Sequence, residues 1–168
     1  YNDTDSSYVS ITPLVNKGLK FLDGDDIHEE THSKIQQIED YLNDGVEKWA
    51  KKSLLSQDSR FVFKRECIAD VGVFLQKKRY VMHILDDEGI KENKFKYTGV
   101  EVVRTTMPNA IKPHAKKIIE TMLSTQSLTK TNKILNETYD IFKSLSPQEL
   151  AFVMGVKGYE KHAVACRD

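Results

Sequence analysis

The sequence predicts an α+β chain: an antiparallel sheet with helices packed on one face, followed by an α-helical segment. Three observations carry this expectation. Stretches rich in Val, Ile, Phe and Tyr stand at residues 8–14, 60–68 and 78–85, the composition of strands. Between the first two, Ile35, Ile38, Leu42, Val46 and Trp49 recur at three- to four-residue spacing, the stripe of an amphipathic helix. Beyond Thr106 the period is helical throughout.

Residues 8–14 read as a strand ended by Pro13. Residues 16–30 are a polar connection carrying Asp23, Asp25, Asp26, Glu29 and Glu30. Such a cluster serves either as a second metal site or as a solvated loop joined to the acidic first turn of a helix, where negative charge meets the dipole. That helix is expected over 29–55, with its apolar stripe in the core. Residues 60–68 alternate and read as a strand, and 70–76 as a short link. Residues 78–85 form the next strand, placing Lys78, Tyr80, Met82 and Ile84 on one face. Asp86-Asp87-Glu88-Gly89 turns the chain, and 94–97 begins the return strand of a hairpin.

The helical part opens near Pro108, which suits a first turn. Ile111, Ala115, Ile118 and Met122 form its stripe, with Ile119 and Leu123 beside it. Pro113 should kink this helix or delay its regular start. A second helix is expected over 130–145, with Ile134, Tyr139, Ile141 and Phe142 as its apolar residues. Ser146-Pro147 opens a third segment ending near Val153. The Gly- and Lys-rich stretch 155–162 reads either as a phosphate-contacting loop or as a loose end.

The chain has 168 residues and no net formal charge. Its charge is unevenly spread: residues 1–50 hold 4 Lys/Arg against 11 Asp/Glu, and residues 51–168 hold 21 against 14. An acidic region beside a basic one fits a metal site next to a phosphate track, and equally two solvated faces that cancel. Cys67 and Cys166 lie too far apart for a metal-ligand spacing, and point to a reducing cytoplasm. No signal peptide is visible, and no apolar run approaches the roughly 20 residues of a membrane span. His28 and His32 are spaced i,i+4 without a third ligand nearby, and all five histidines are taken as surface residues. No Ser-His-Asp or Cys-His arrangement is legible, and no Gly-rich phosphate loop.

The first ten residues, Tyr1-Asn2-Asp3-Thr4-Asp5-Ser6-Ser7-Tyr8-Val9-Ser10, are the most informative. Asn2 tolerates positive φ, so the two aspartates can sit at a tight turn between strands. Carboxylate oxygens are hard ligands, and a close pair suits Mg²⁺. Taken alone, Asp-x-Asp is also an ordinary polar turn. The chain starts inside this motif, so it is expected to be part of a longer polypeptide, with the first arm of the hairpin upstream.

Tyr-x-Asp-Thr-Asp-Ser followed by an apolar stretch resembles the central palm motif of family B DNA polymerases. Lys77-Lys78-Arg79-Tyr80 is similar to that family's Lys-Lys-x-Tyr primer-gripping motif. Gly99-Val100-Glu101 followed by Arg104-Thr105-Thr106-Met107-Pro108 resembles the passage from palm to thumb in tailed-phage replicative polymerases. The likeness covers roughly residues 1–125 well and 126–168 weakly. It implies a palm-type sheet over 1–105 and the beginning of a thumb over 106–168. The chain departs from the pattern in three places: Ser7 where the family is apolar, no glycine-containing insertion near 70–76, and Met107 at the expected cap position.

The resemblance implies a DNA-directed DNA polymerase that uses two Mg²⁺ ions, with Mn²⁺ as a substitute. The ions stabilise the attacking 3′-hydroxyl and the leaving pyrophosphate. Asp5 would bridge both ions, with Asp3 a weaker or outer ligand, and both are the catalytic carboxylates of this chain. Thr4 and Ser6 would lie against the nucleotide. Lys77, Lys78, Tyr80 and Arg104 would hold the primer strand, contacts that fix register without reading sequence. Arg79 should point away, to solvent or a salt bridge. Glu66 stands where phage polymerases carry an acidic residue near the active site, and equally where an edge strand carries an ordinary charge. The implied partners are primer–template DNA and dNTPs, with a sliding clamp reached through regions absent from this chain and no membrane. A further metal-binding aspartate and the fingers residues are absent too, so residues 1–168 alone are expected to be inactive. Two other readings stay open: a glycosyltransferase holding Mn²⁺ and a nucleotide-sugar through Asp-x-Asp, and a non-catalytic nucleic-acid-binding module. The glycosyltransferase gives no reason for Lys77-Lys78-Arg79-Tyr80.

Overall fold

The computed structural model describes residues 2–3, 6–55 and 60–155, with Asn2 and Asp3 described by their backbone alone. The class is α+β, as the pattern predicts, with an antiparallel three-stranded sheet built from residues 67–76, 79–87 and 90–98 in that order. The chain divides into two units: Tyr1–Gly72 with Met82–Lys96, and Val73–Val81 with Tyr97–Asp168. No helix among the described residues is long and apolar enough to cross a membrane.

The first unit opens with a minimal hairpin, β1 (Asn2–Asp3) and β2 (Ser6–Ser7), in the register Asn2↔Ser7 and Asp3↔Ser6. Asn2 and Asp3 thus supply the short first arm that was expected upstream. Residues 8–14 do not form the expected strand. The chain instead enters a single-turn helix, α1 (Thr12–Val15). Pro13 explains the difference: its fixed φ and missing N–H suit the first turn of a helix and weaken a strand. A second hairpin, β3 (Leu22–Asp23) and β4 (Asp26–Ile27), follows.

Helix α2 runs over Glu29–Ser53. His28 caps it by accepting a hydrogen bond from the Glu30 N–H at 3.1 Å. Glu29 and Glu30 fill the first turn, and Lys51 and Lys52 the last, in keeping with the helix dipole. The acidic cluster is therefore mostly loop and helix-start charge, with Asp23 paired to Lys20 and Asp26 to Lys91. The apolar stripe is only half covered: Ile35, Ile38, Leu42 and Val46 are intermediate, and Trp49 is exposed. The fully buried positions of α2 are Thr31 and Ala50. Thr31 tolerates burial because its hydroxyl donates to the Lys20 carbonyl at 2.9 Å.

Residues 60–66 are not a strand. The backbone of Phe63 and Arg65 is paired by helix side chains instead. Asn43 accepts from the Phe63 N–H at 2.7 Å and donates to the Phe63 carbonyl at 2.9 Å. One turn earlier, Glu39 accepts from the Arg65 N–H at 3.0 Å. Two polar side chains at i,i+4 on one helix face thus take the place of a neighbouring strand. Phe61 and Val62, expected in a sheet, are exposed.

The sheet proper is β5 (Cys67–Gln76), β6 (Arg79–Asp87) and β7 (Ile90–Thr98). The expected link at 70–76 is part of β5, and the return strand starts at Ile90. Glu88 and Gly89 both take positive φ, the mirror-image two-residue turn that matches strand twist. In the first unit Ile68, Met82 and Ile84 are buried, each stabilising by about 1.5–3 kcal/mol relative to exposure. Buried Asp86 is held by Arg65 and by the Gly89 N–H at 3.0 Å. His83 is not a plain surface residue: its ring lies 2.8 Å from Asp70 and 2.8 Å from Asn93, stacked on Phe95.

The second unit contains the other end of these strands, a 3₁₀ turn at Glu101–Val103, α3 (Lys112–Thr125), α4 (Leu128–Ser144) and α5 (Pro147–Leu150). Helix α3 starts at Lys112 rather than near Met107, because Pro113 sits in its first turn; Pro113 delays the start and leaves no interior kink. Its N-cap is Ile111. Ser127 caps α4 by accepting from the Lys130 N–H. In α4 the buried residues are Thr131 and Thr138, whereas Tyr139 and Ile141 are exposed. Ser146 and Glu149 form a reciprocal capping box on α5, and these hydrogen bonds hold the Glu149 carboxyl below its usual range. The segment 156–168, including the Gly/Lys-rich stretch past Gly155, lies outside the described residues. Tyr80, Val81, Val100, Val102 and Leu123 form the buried core of this unit.

Candidate nucleic-acid interface

Strand β5 ends at Gln76 and β6 begins at Arg79, so Lys77-Lys78 is a two-residue turn and not a strand start. Lys78 has φ +61, a left-handed conformation that costs a non-glycine side chain about 1–2 kcal/mol. Nothing in the composition announces this turn: it has no Gly, Asn or Asp, the residues that adopt it cheaply. Both lysines are exposed at its tip.

The turn is held from behind by Gly99, also at φ +61. A Cβ there would overlap the Lys78 carbonyl oxygen and stand 3.3 Å from Arg79 Cγ. From the same segment, Glu101 reaches back with both carboxylate oxygens. One accepts from the Arg79 guanidinium, and the other forms an ion pair with Arg104 Nε at 2.7 Å. Arg79 also donates to Gln76 at 3.3 Å. Of the two outcomes expected for Arg79, solvent or a salt bridge, it takes the salt bridge. Glu101 thus organises two arginines with one carboxylate, and exposed Lys77 stands at the adjacent turn. Arg104 remains about half exposed.

Tyr80 departs from the expected geometry. Because Lys78 is in the turn, the two do not share a strand face. Tyr80 is 6% exposed and packs on Phe74 with ring centroids 5.4 Å apart, which makes it a support for the hairpin.

Three residues of this unit meet in a way the sequence did not single out. Tyr97 donates its O–H to Glu120 at 2.6 Å, and Lys116 lies over the Tyr97 ring, 5.3 Å from its centroid. Burial, then the Glu120 hydrogen bond, push the Tyr97 phenol well above its usual range. Lys116 and Glu120 are i,i+4 on α3, the only signal the sequence offered.

In the first unit Lys20, Lys48, Lys91, Lys94 and Lys96 are each paired to a carboxylate, whereas Lys17, Lys34, Lys52 and Lys64 pair with none among the described residues. In the second, Arg79, Arg104 and Lys143 are paired, whereas Lys77, Lys112, Lys116 and Lys117 pair with no carboxylate among the described residues.

The remaining site residues belong to the first unit. Asp5 and Thr4 lie outside the described residues, and Asp3 is described by its backbone alone, paired with Ser6 across the first hairpin. Ser6 is half-buried. Glu66 is exposed and paired to Lys96 at 2.9 Å. Its neighbour Cys67 is half-buried, and burial pushes its thiol up. Among the described residues no group of three or more His, Cys, Asp or Glu is arranged around a metal position. No protein-family model matches the chain, and no curated protein matches it.

Proposed function

We propose that the chain is the later part of the palm and the beginning of the thumb of a family B DNA-directed DNA polymerase. The observation that supports it best joins two stretches the sequence keeps apart. The Lys77–Tyr80 hairpin and the Gly99–Arg104 segment are locked together through Gly99 and Glu101, and their cations gather at one exposed turn. A strained lysine where glycine or asparagine would sit at lower cost fits a position kept for its charge. In this reading Lys77, Lys78 and Arg104 hold primer-strand phosphates, a grip independent of sequence. Arg79 and Glu101 position the turn.

The carboxylates of Asp5 and Asp3 are the hard oxygen donors that suit Mg²⁺. Bound there, Mg²⁺ would supply charge stabilisation at the 3′-hydroxyl and the pyrophosphate. The completing carboxylate and the nucleotide-gripping residues belong, on this proposal, to other parts of the polypeptide.

The test is binding of a labelled primer–template hairpin to residues 1–168 across a salt series. The expected result is sequence-independent binding that weakens with salt, with each of Lys77→Ala, Lys78→Ala and Arg104→Ala lowering the salt slope by about one phosphate contact. Sequence-selective binding, or slopes unchanged in all three variants, would remove the primer-strand assignment.

A further inference from the structure

We infer that Lys116, seated on the Tyr97 ring, is a further phosphate contact on the duplex gripped by the Lys77-Lys78 turn, with Tyr97 and Glu120 as its positioning residues; this rests on the nucleic-acid reading above. Lys116 and Glu120 are one turn apart on α3, where a lysine and a glutamate ordinarily attract each other. Here they do not form an ion pair. The Glu120 carboxylate instead takes the Tyr97 O–H at 2.6 Å. The Lys116 ammonium rests on the ring face, 5.3 Å from its centroid. A ring quadrupole attracts a cation without cancelling its charge. The side chain is thereby held in place while its charge stays available to an anion, and less freedom is lost when a phosphate arrives.

Position supports the same conclusion. Tyr97 is two residues from Gly99, which backs onto Lys78. Two residues of extended chain span about 7 Å. Lys116 and the turn are therefore close enough to meet phosphates of one duplex. Lys117 is the natural control: it is the next residue on α3, exposed, and points about 100° away around the helix.

The experiment is the salt dependence of binding between residues 1–168 and the same primer–template hairpin, with helicity checked for each variant. Lys116→Ala and Lys116→Gln should each lower the slope of log affinity against log salt by about 0.9, the value of one duplex phosphate. Lys117→Ala should leave it unchanged. Tyr97→Phe keeps the ring but frees Glu120 to capture Lys116, so it should weaken binding. Adding Glu120→Gln to Tyr97→Phe should restore it. A purely structural Tyr97 would not be rescued in this way. Equal losses for Lys116→Ala and Lys117→Ala, or no rescue, would overturn the inference. An unchanged slope for Lys116→Ala beside a reduced slope for Lys77→Ala would overturn it and leave the parent reading intact. Absence of DNA binding by the unsubstituted chain would overturn both.

Discussion

Gly99 backs onto the carbonyl of Lys78 so closely that no side chain fits between them. Both residues have φ +61, so two left-handed positions lock one turn. Gly99→Ala should therefore cost about 3 kcal/mol or more, combining left-handed strain with displacement of the turn. Gly89→Ala is the comparison. It has φ +91, but its Cβ would meet only a flexible Arg65 nitrogen at 3.8 Å, so about 1–2 kcal/mol is expected. Urea midpoints of the two variants check this, and a Gly99→Ala midpoint equal to the parent's would refute the locked turn.

Lys78 should show stability and binding moving in opposite directions. Asparagine adopts its left-handed backbone at less cost than lysine. Lys78→Asn should leave stability unchanged or raise it by up to about 1 kcal/mol, while weakening DNA binding. Parallel urea and anisotropy titrations decide; a variant that loses stability and keeps its affinity would contradict the assignment.

Asn43 should govern the order of residues 60–66. It supplies both hydrogen bonds of the Phe63 backbone. Asn43→Ala should cost about 2 kcal/mol and speed amide exchange at Phe63 selectively. Unchanged protection at Phe63 would show that the helix side chains do not hold this segment.

Tyr97 gives the unit an alkaline limit. Its folded phenol is raised above the ordinary value of 10.0 by burial and by Glu120. Below pH 10 the neutral phenol is present in both states and its contribution is complete. As pH rises past 10 the unfolded chain releases the proton first, and the contribution is lost progressively. Urea midpoints between pH 9 and 11 should fall more steeply for the parent than for Tyr97→Phe. Parallel curves would count against the buried hydrogen bond.

Much of the fold was legible because it rests on periodicity. The helix at Glu29–Ser53 and the helices after Pro108 follow from apolar spacing. What was missed depends on partners distant in sequence. Residues 60–66 alternate like a strand, yet the backbone partners of Phe63 and Arg65 are Asn43 and Glu39 on a helix. Lys77-Lys78 carries no turn residue, and the glycine that permits its turn is Gly99, on another segment. The cations of the candidate site could be named from the sequence. Their organisation by Glu101 and by the Tyr97–Glu120 pair could not, since each joins segments more than 20 residues apart.

Primer extension tests the polymerase reading most directly. The assay uses the polypeptide that carries this chain, with a primer–template, dNTPs and Mg²⁺. Asp5→Ala should abolish nucleotide incorporation while primer–template affinity stays within about twofold, since the substitution removes charge at the proposed Mg²⁺ position and touches no proposed phosphate contact. Asp3→Ala should be milder, and residues 1–168 alone should extend nothing. Near-normal extension by the Asp5→Ala polypeptide would contradict the account.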